Sequence, residues 1–75
     1  MGRLRVLSGQ EACRILAAHG FVRVRRRGSH VAMQKLGADG SVTVPVPMHN
    51  ELRTGTLLSI IRQSGVPRSE FEDDG

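Results

Sequence analysis

The sequence predicts a small α+β domain with the order α-β-β-β-α, a three-stranded antiparallel sheet with both helices on one face. A helical apolar stripe follows a capping motif over residues 8–19. Alternating apolar residues occupy 21–46, and a second helical stripe occupies 54–64. A chain of 75 residues has room for one core only, so residues 1–75 are interpreted as a single domain.

The first predicted helix begins at a capping motif. Residues 8–11 fit a capping box in which Ser8 is the N-cap and Glu11 the third helical residue. Residues then recur at the spacing of one helical face, namely Ala12, Ile15, Leu16 and His19. Gly20 can adopt the left-handed conformation that ends a helix, which predicts the helix over about 9–19.

Period-two alternation predicts three strands, over 21–26, 30–36 and 41–46, with a hairpin turn at 37–40. On the core face we expect Val22, Val24, Val31, Met33, Val42, Val44 and Val46. On the opposite face we expect Arg23, Arg25, His30, Ala32, Gln34 and Thr43. The predicted sheet therefore presents a basic polar face that carries an imidazole.

The end of the chain completes the prediction. Pro45 and Pro47 cannot donate to a strand ladder, which favours an edge position for the third strand. The second helix follows at about 54–64, and both helices should cover the valine-rich face. Phe71 is expected to anchor a short final turn, and the acidic tail 72–75 is expected to be frayed.

Charge points to an anionic partner. The net charge is +4, but four of the seven acids lie in the last six residues. Residues 1–69 carry all 11 basic residues against three acids, a net +8. Such a surface favours binding to a nucleic acid, although a solvated surface without a partner is the alternative.

Other classes are disfavoured. No apolar run is long enough for a membrane span or a signal peptide, and the lone Cys13 cannot form an internal disulfide, which favours a cytoplasmic protein. The histidines lack metal-ligand spacing, so neither a metal nor another cofactor is expected. Ser29 and His30 are strand neighbours whose side chains should point apart, which disfavours a serine hydrolase.

RNA cleavage is compatible with one histidine on a basic face. RNA supplies its own nucleophile, because its 2′-OH attacks the adjacent phosphorus once a base removes the proton. An imidazole can exchange that proton near neutral pH, and nearby cations stabilise the developing phosphoryl charge. From the residues alone, His30 is as readily an exposed strand histidine, and a role for His49 in its loop stays open.

The chain resembles the HicA family of small bacterial toxins, which act as mRNA interferases. The resemblance is carried by residues 8–11 (SGQE), 20–22 (GFV), 28–30 (GSH), 44–47 (VPVP) running through Leu52 to 55–57 (GTL), 61–63 (IRQ) and 65–71 (GVPRSEF). It implies a fold like that of double-stranded-RNA-binding domains, ribosome-independent cleavage of mRNA, and a HicB-type antitoxin partner that covers the His30 face.

The resemblance also assigns residues. The family's active histidine follows Gly-Ser, which makes His30 the catalytic general acid or base and Gly28 and Ser29 its supporting turn. Many relatives carry a second histidine next; here that position is Val31, which the strand alternation places toward the core. Phosphate binding would then fall to the nearby basic side chains, Arg23, Arg25, Arg26, Arg27 and Lys35.

Two alternatives remain open on the sequence. The chain could be a non-catalytic RNA-binding module of the same fold, but its second helix opens without the lysine cluster that such domains use, with only Arg53 nearby. The basic face could also serve chiefly to bind an acidic protein, which a toxin with an antitoxin would show as well.

Overall fold

The computed structural model describes residues 2–73 and confirms the α-β-β-β-α order. Its elements are α1 (Gly9–Ala18), β1 (Val22–Arg27), β2 (His30–Gly37), β3 (Gly40–Pro47), α2 (Thr54–Ser64) and a short 3-10 helix (Arg68–Phe71). The strands form one antiparallel sheet in the order β1-β2-β3, so the proline-bearing β3 is an edge strand as predicted. Two-residue turns join β1 to β2 and β2 to β3.

Both helices cover one face of the sheet, as the sequence predicts. The core combines helix, strand and loop side chains, namely Leu7, Ala12, Cys13, Leu16, Phe21, Val31, Met33, Val44, Val46, Leu52, Leu57, Ile60, Val66 and Phe71. Val31 is among them, so the position after His30 faces the core. Burial raises the pKa of the Cys13 thiol, which keeps it protonated and makes it a packing residue.

The capping box at the start of α1 is formed in full. Ser8 Oγ accepts a hydrogen bond from the Glu11 backbone N–H at 3.1 Å, and Glu11 Oε1 accepts one from the Ser8 N–H at 2.9 Å. The hydrogen bond from the Ser8 backbone is the main reason that the pKa of Glu11 lies below its usual range. The half of the cap made by the Glu11 carboxylate is therefore stronger when Glu11 is ionised.

Replacing Ser8 with alanine should lower the free energy of unfolding by about 1 kcal/mol at neutral pH. Because the pKa of Glu11 is lowered in the folded state, its contribution is complete above the usual glutamate range and is lost as pH falls through the lowered value. Urea unfolding of wild type and Glu11→Gln should therefore converge on acidification, whereas the Ser8→Ala difference should largely persist, because the Glu11 carboxylate accepts from the Ser8 backbone N–H, which alanine keeps. A Glu11→Gln difference that persists unchanged in acid would contradict this, and Ser41→Ala serves as an exposed control.

The structure corrects the predicted orientation of β1. Val22 pairs with Gln34 and Arg23 with Met33, but the register then shifts, so that Arg25 pairs with Ala32. Directly opposed residues in an antiparallel pair project to the same face, and a bulged strand loses its alternation at the extra residue. That residue is Val24, and the sequence alternation carries no sign of it.

Three placements in β1 were consequently wrong. Val22 and Val24 are 59% and 48% exposed rather than buried, and Arg23 lies on the helix-covered side with Met33. Val22 faces the open side opposite Gln34, and Val24 is the bulged residue on the strand farthest from β3, with which both helices make their main sheet contacts. Val42 lies on the predicted face of the sheet but is 42% exposed, because it is near the turn at the end of the sheet.

The C-terminal segment also differs from the prediction. Glu72 forms a bridge with Leu4, and the Asp73 N–H donates to the Arg3 carbonyl at 2.8 Å, so these two residues of the predicted frayed tail pair with the N-terminal segment. Phe71 beside them is completely buried, which holds the segment in place. Residues 74 and 75 of that tail lie outside the described residues.

Candidate active site

The turn before His30 is held on both sides. Gly28 has φ +59°, whereas Ser29 has a negative φ, the pattern of a type II′ hairpin turn with glycine first. The Met48 N–H donates to the Ser29 carbonyl at 2.6 Å and ties the turn to the end of β3. Arg26 Nε donates to the Gly28 carbonyl at 3.1 Å. His30 therefore starts β2 from a fixed position.

His30 is exposed on the face of the sheet that the helices leave open, as the strand alternation predicts. Its side chain does not point away from Ser29, contrary to the sequence prediction, because Ser29 is a turn residue rather than a strand residue. Ser29 Oγ lies 3.5 Å from His30 Nδ1, the outer limit for a hydrogen bond. Nδ1 is therefore the ring nitrogen nearer Ser29, and Nε2 lies on the other side of the ring.

Two arginines share the open face with His30. Arg27 is directly opposite His30 in the ladder, and Arg25 is opposite Ala32 two residues further along. Together with Pro45 these residues line a shallow depression of about 150 Å³, which we call the basic depression. Neither arginine forms an ion pair with any of residues 2–73. Their charge is therefore free to attract an anion to the imidazole.

The other predicted phosphate-binding residues lie elsewhere. Arg23 Nη2 donates to Gln10 Oε1 of α1 at 2.8 Å, on the helix-covered side. Lys35 is also on that side, with its Nζ 6.0 Å from the centre of the Phe21 ring. Arg26 is exposed beside the turn that it braces. The structure thus brings only Arg25 and Arg27 into the depression that His30 lines.

His30 also lines a second depression, which was not predicted from the sequence. It is about 240 Å³ in volume and lies between β3 and α2, lined by His30, Pro45, Pro47, Thr56, Ser59 and Gln63, with Ile60 behind them. We call it the α2 depression. The alternation of Pro45 with the buried Val44 and Val46 would have placed that proline on the open face, and the polar positions of α2 recur at helical spacing.

The remaining histidines are held differently. His19 Nδ1 lies 3.0 Å from the Ile15 carbonyl and Nε2 lies 3.6 Å from Glu70 Oε1, which ties the end of α1 to the C-terminal segment. His49 is exposed in the loop before α2, and its carbonyl accepts from the Gly9 N–H at 2.9 Å. His19 is thus a structural residue, while the His49 imidazole lies outside both depressions.

Residues 2–73 contain neither a side-chain cluster suited to a metal ion nor a membrane-spanning helix. In that range no three histidine, cysteine, aspartate or glutamate side chains come together to hold a metal ion. None of the helices described there is long and apolar enough to cross a membrane.

Comparison with known proteins gives the family. No curated protein matches the chain. A family model described as the HicA toxin of bacterial toxin–antitoxin systems does match, over residues 9–66, a span that contains both helices, the whole sheet and the turn before His30. Since the match covers well over half of the 75 residues and includes the open face on which His30 stands, the chain belongs to the HicA toxin family.

Proposed function

We propose that this toxin is a metal-independent endoribonuclease that cleaves mRNA with His30 as general acid or base. The observation that carries the proposal is the position of His30, exposed on the helix-free face and opposite Arg27 in the ladder. A single histidine beside arginines suits RNA as substrate, because RNA contains the nucleophile that the protein lacks. Since mRNA is the substrate, we place the activity in the cytoplasm.

The imidazole and the two guanidinium groups of the basic depression each have a role in the proposed reaction. His30 Nε2 accepts the proton of a 2′-OH, whose oxygen forms a bond to the adjacent phosphorus while the bond from phosphorus to the 5′ oxygen breaks. The leaving 5′ oxygen then takes up a proton from solvent, and the protonated His30 returns its own proton to solvent. Arg25 and Arg27 stabilise the charge that builds on the phosphoryl oxygens. Gly28 and Ser29 position the imidazole and do not themselves react.

The non-catalytic alternative has less support. A duplex-binding domain of this topology needs positive charge at the start of α2. In this chain the N-cap of α2 is Arg53, whose side chain makes no capping hydrogen bond, and the helix then begins with the uncharged residues Thr-Gly-Thr. The free positive charge is concentrated instead on β1, beside His30. This distribution favours a single strand drawn across the open face over a duplex held across two grooves.

A toxin of this family has an antitoxin partner. We propose that a HicB-type antitoxin covers the open face, because a partner seated there would occupy the basic depression and block His30 together with Arg25 and Arg27. Arginine side chains without ion pairs attract acidic surfaces as readily as phosphates. Inhibition of this toxin would then require no change in its fold.

The function is tested with purified toxin, a defined single-stranded RNA and a chelator. We expect cleavage to continue in the chelator, and we expect a single 2′-deoxy substitution at a mapped site to block cleavage at that bond only. Equal cleavage of the deoxy bond would show that the RNA hydroxyl is not the nucleophile. Binding of the RNA without any cleavage would instead support the non-catalytic module.

Removing the charge of the basic depression should weaken RNA binding and its salt dependence. Because Arg25 and Arg27 each contact one phosphate in this proposal, the variant Arg25→Gln/Arg27→Gln should make the slope of log affinity against log salt shallower by about 1.4. The double variant Arg14→Gln/Arg62→Gln removes the same charge from the two helices and should change the slope less. Equal slopes for the two double variants would contradict the assignment.

A further inference from the structure

The α2 depression adjoins the proposed reaction site yet has no part in the chemistry assigned to it. We propose that it is a subsite for one unpaired nucleobase next to the bond that is cleaved, and that Ser59 and Gln63 distinguish between bases there. The RNA ligand in this inference rests on the proposed function. The phosphate then lies on one side of His30 and the base on the other, where Ser59 and Gln63 give the toxin its sequence preference.

The two depressions differ in the charge of the side chains that line them. They share His30 and Pro45, so a ligand bound in one continues into the other. The basic depression holds the guanidinium groups of Arg25 and Arg27, whereas the α2 depression has no lysine, arginine or carboxylate in its lining. A nucleotide has one anionic part and one uncharged planar part. Its phosphate therefore fits the first depression and its base the second.

The lining of the α2 depression suits a flat apolar ring. Pro45 and Pro47 lie on the same face of β3, two residues apart, and Ile60 is buried behind them. Single-stranded RNA is commonly bound by stacking bases on aromatic side chains, but here both phenylalanines are buried and the sequence has no tryptophan or tyrosine. The rigid proline rings are the available substitute for an aromatic platform.

Size limits what the depression can hold. Its volume of about 240 Å³ is below the roughly 300–1,000 Å³ of pockets that enclose drug-sized ligands. A single planar ring fits this space, whereas a complete nucleotide would extend beyond it, with its phosphate toward the arginines.

Side chains of α2 offer hydrogen bonds that the protein does not use. Thr56, Ser59 and Gln63 recur along one face of the helix and line the depression. None of them takes part in a side-chain hydrogen bond among residues 2–73. Ser64 on the same helix differs, since it donates to the Ile61 carbonyl and accepts from the Val66 N–H. An amide and hydroxyls left free at a cleft can read the edge of a base.

The test compares base preference in wild type and in Ser59→Ala/Gln63→Leu. Affinities are measured by fluorescence anisotropy for short 2′-fluoro oligonucleotides of uniform A, C or U, which lack the nucleophile and are not cleaved. Wild type should distinguish its best from its worst oligonucleotide by about fivefold or more. The double variant should lose most of that discrimination, while Arg62→Gln, next in the chain but outside the depression, should keep the ranking of the three.

Each outcome bears on the subsite separately from the cleavage. A double variant that retains the wild-type ranking overturns the subsite even if the toxin cleaves RNA, and so does a wild type that binds all three equally or binds none. Discrimination that is present in wild type and lost in the double variant supports the subsite even if no RNA is cleaved, in which case the proposed nuclease function fails. Circular dichroism of the variants shows whether a loss of binding reflects unfolding.

Discussion

His30→Ala is expected to abolish growth arrest by the toxin and to lower RNA cleavage by about 10²–10⁴-fold, the usual contribution of a general acid or base. The fold should be unaffected, because the side chain is exposed and its only side-chain hydrogen-bond approach among residues 2–73 is the 3.5 Å one to Ser29. RNA affinity should be largely kept, since we assign the phosphate contacts to Arg25 and Arg27.

The matched control is His49→Ala. His49 is likewise exposed, but it lies outside both depressions, so its loss should leave growth arrest and cleavage unchanged. Cells that express His30→Ala and still stop growing would contradict the role of His30. Inactive His49→Ala would show instead that the site extends to the loop before α2.

Phe71→Ala is expected to have the largest effect on stability. Phe71 is completely buried, and removing a buried phenylalanine side chain costs about 3–5 kcal/mol. A domain of 75 residues has a free energy of unfolding of only about 4–11 kcal/mol in total. The loss should also release the N-terminal segment, because the Arg5 N–H donates to the Phe71 carbonyl at 2.9 Å.

Urea unfolding measures this effect. Phe71→Leu keeps an apolar side chain in the same space and should lose much less. Leu36→Ala, at a residue 78% exposed, should change the free energy of unfolding by less than about 0.5 kcal/mol. A Phe71→Ala variant as stable as Leu36→Ala would show that the C-terminal segment does not contribute to the core.

Local sequence signals predicted most of the fold. The capping box, the turn glycines and the alternation of β2 and β3 are each encoded within a few residues, and the structure has all three. The orientation of β1 could not be predicted in this way, because a bulge depends on how a strand pairs and the VRVRRR pattern reads equally well without one. The pairing of Glu72 with Leu4 likewise joins residues far apart in the chain.

The site was predictable only in part for the same reason. The turn and the strand alternation, both local features, predicted that His30 lies on the open face, whereas its catalytic role was implied only by the family resemblance. The bulge decides that Arg23 does not accompany it, because the register shift separates Arg23 from Arg25 and Arg27. The α2 depression requires β3 and α2 to be placed side by side, a tertiary contact that no local pattern in residues 41–64 specifies.

The most direct measurement is the single-turnover cleavage rate of one end-labelled RNA, in chelator, by wild type and His30→Ala at protein concentrations that saturate binding. If His30 transfers the proton, wild type cleaves and His30→Ala, folded and bound to the same RNA, is slower by at least about 10²-fold. Equal rates for the two proteins would show that the open face binds RNA without His30 taking part in the chemistry.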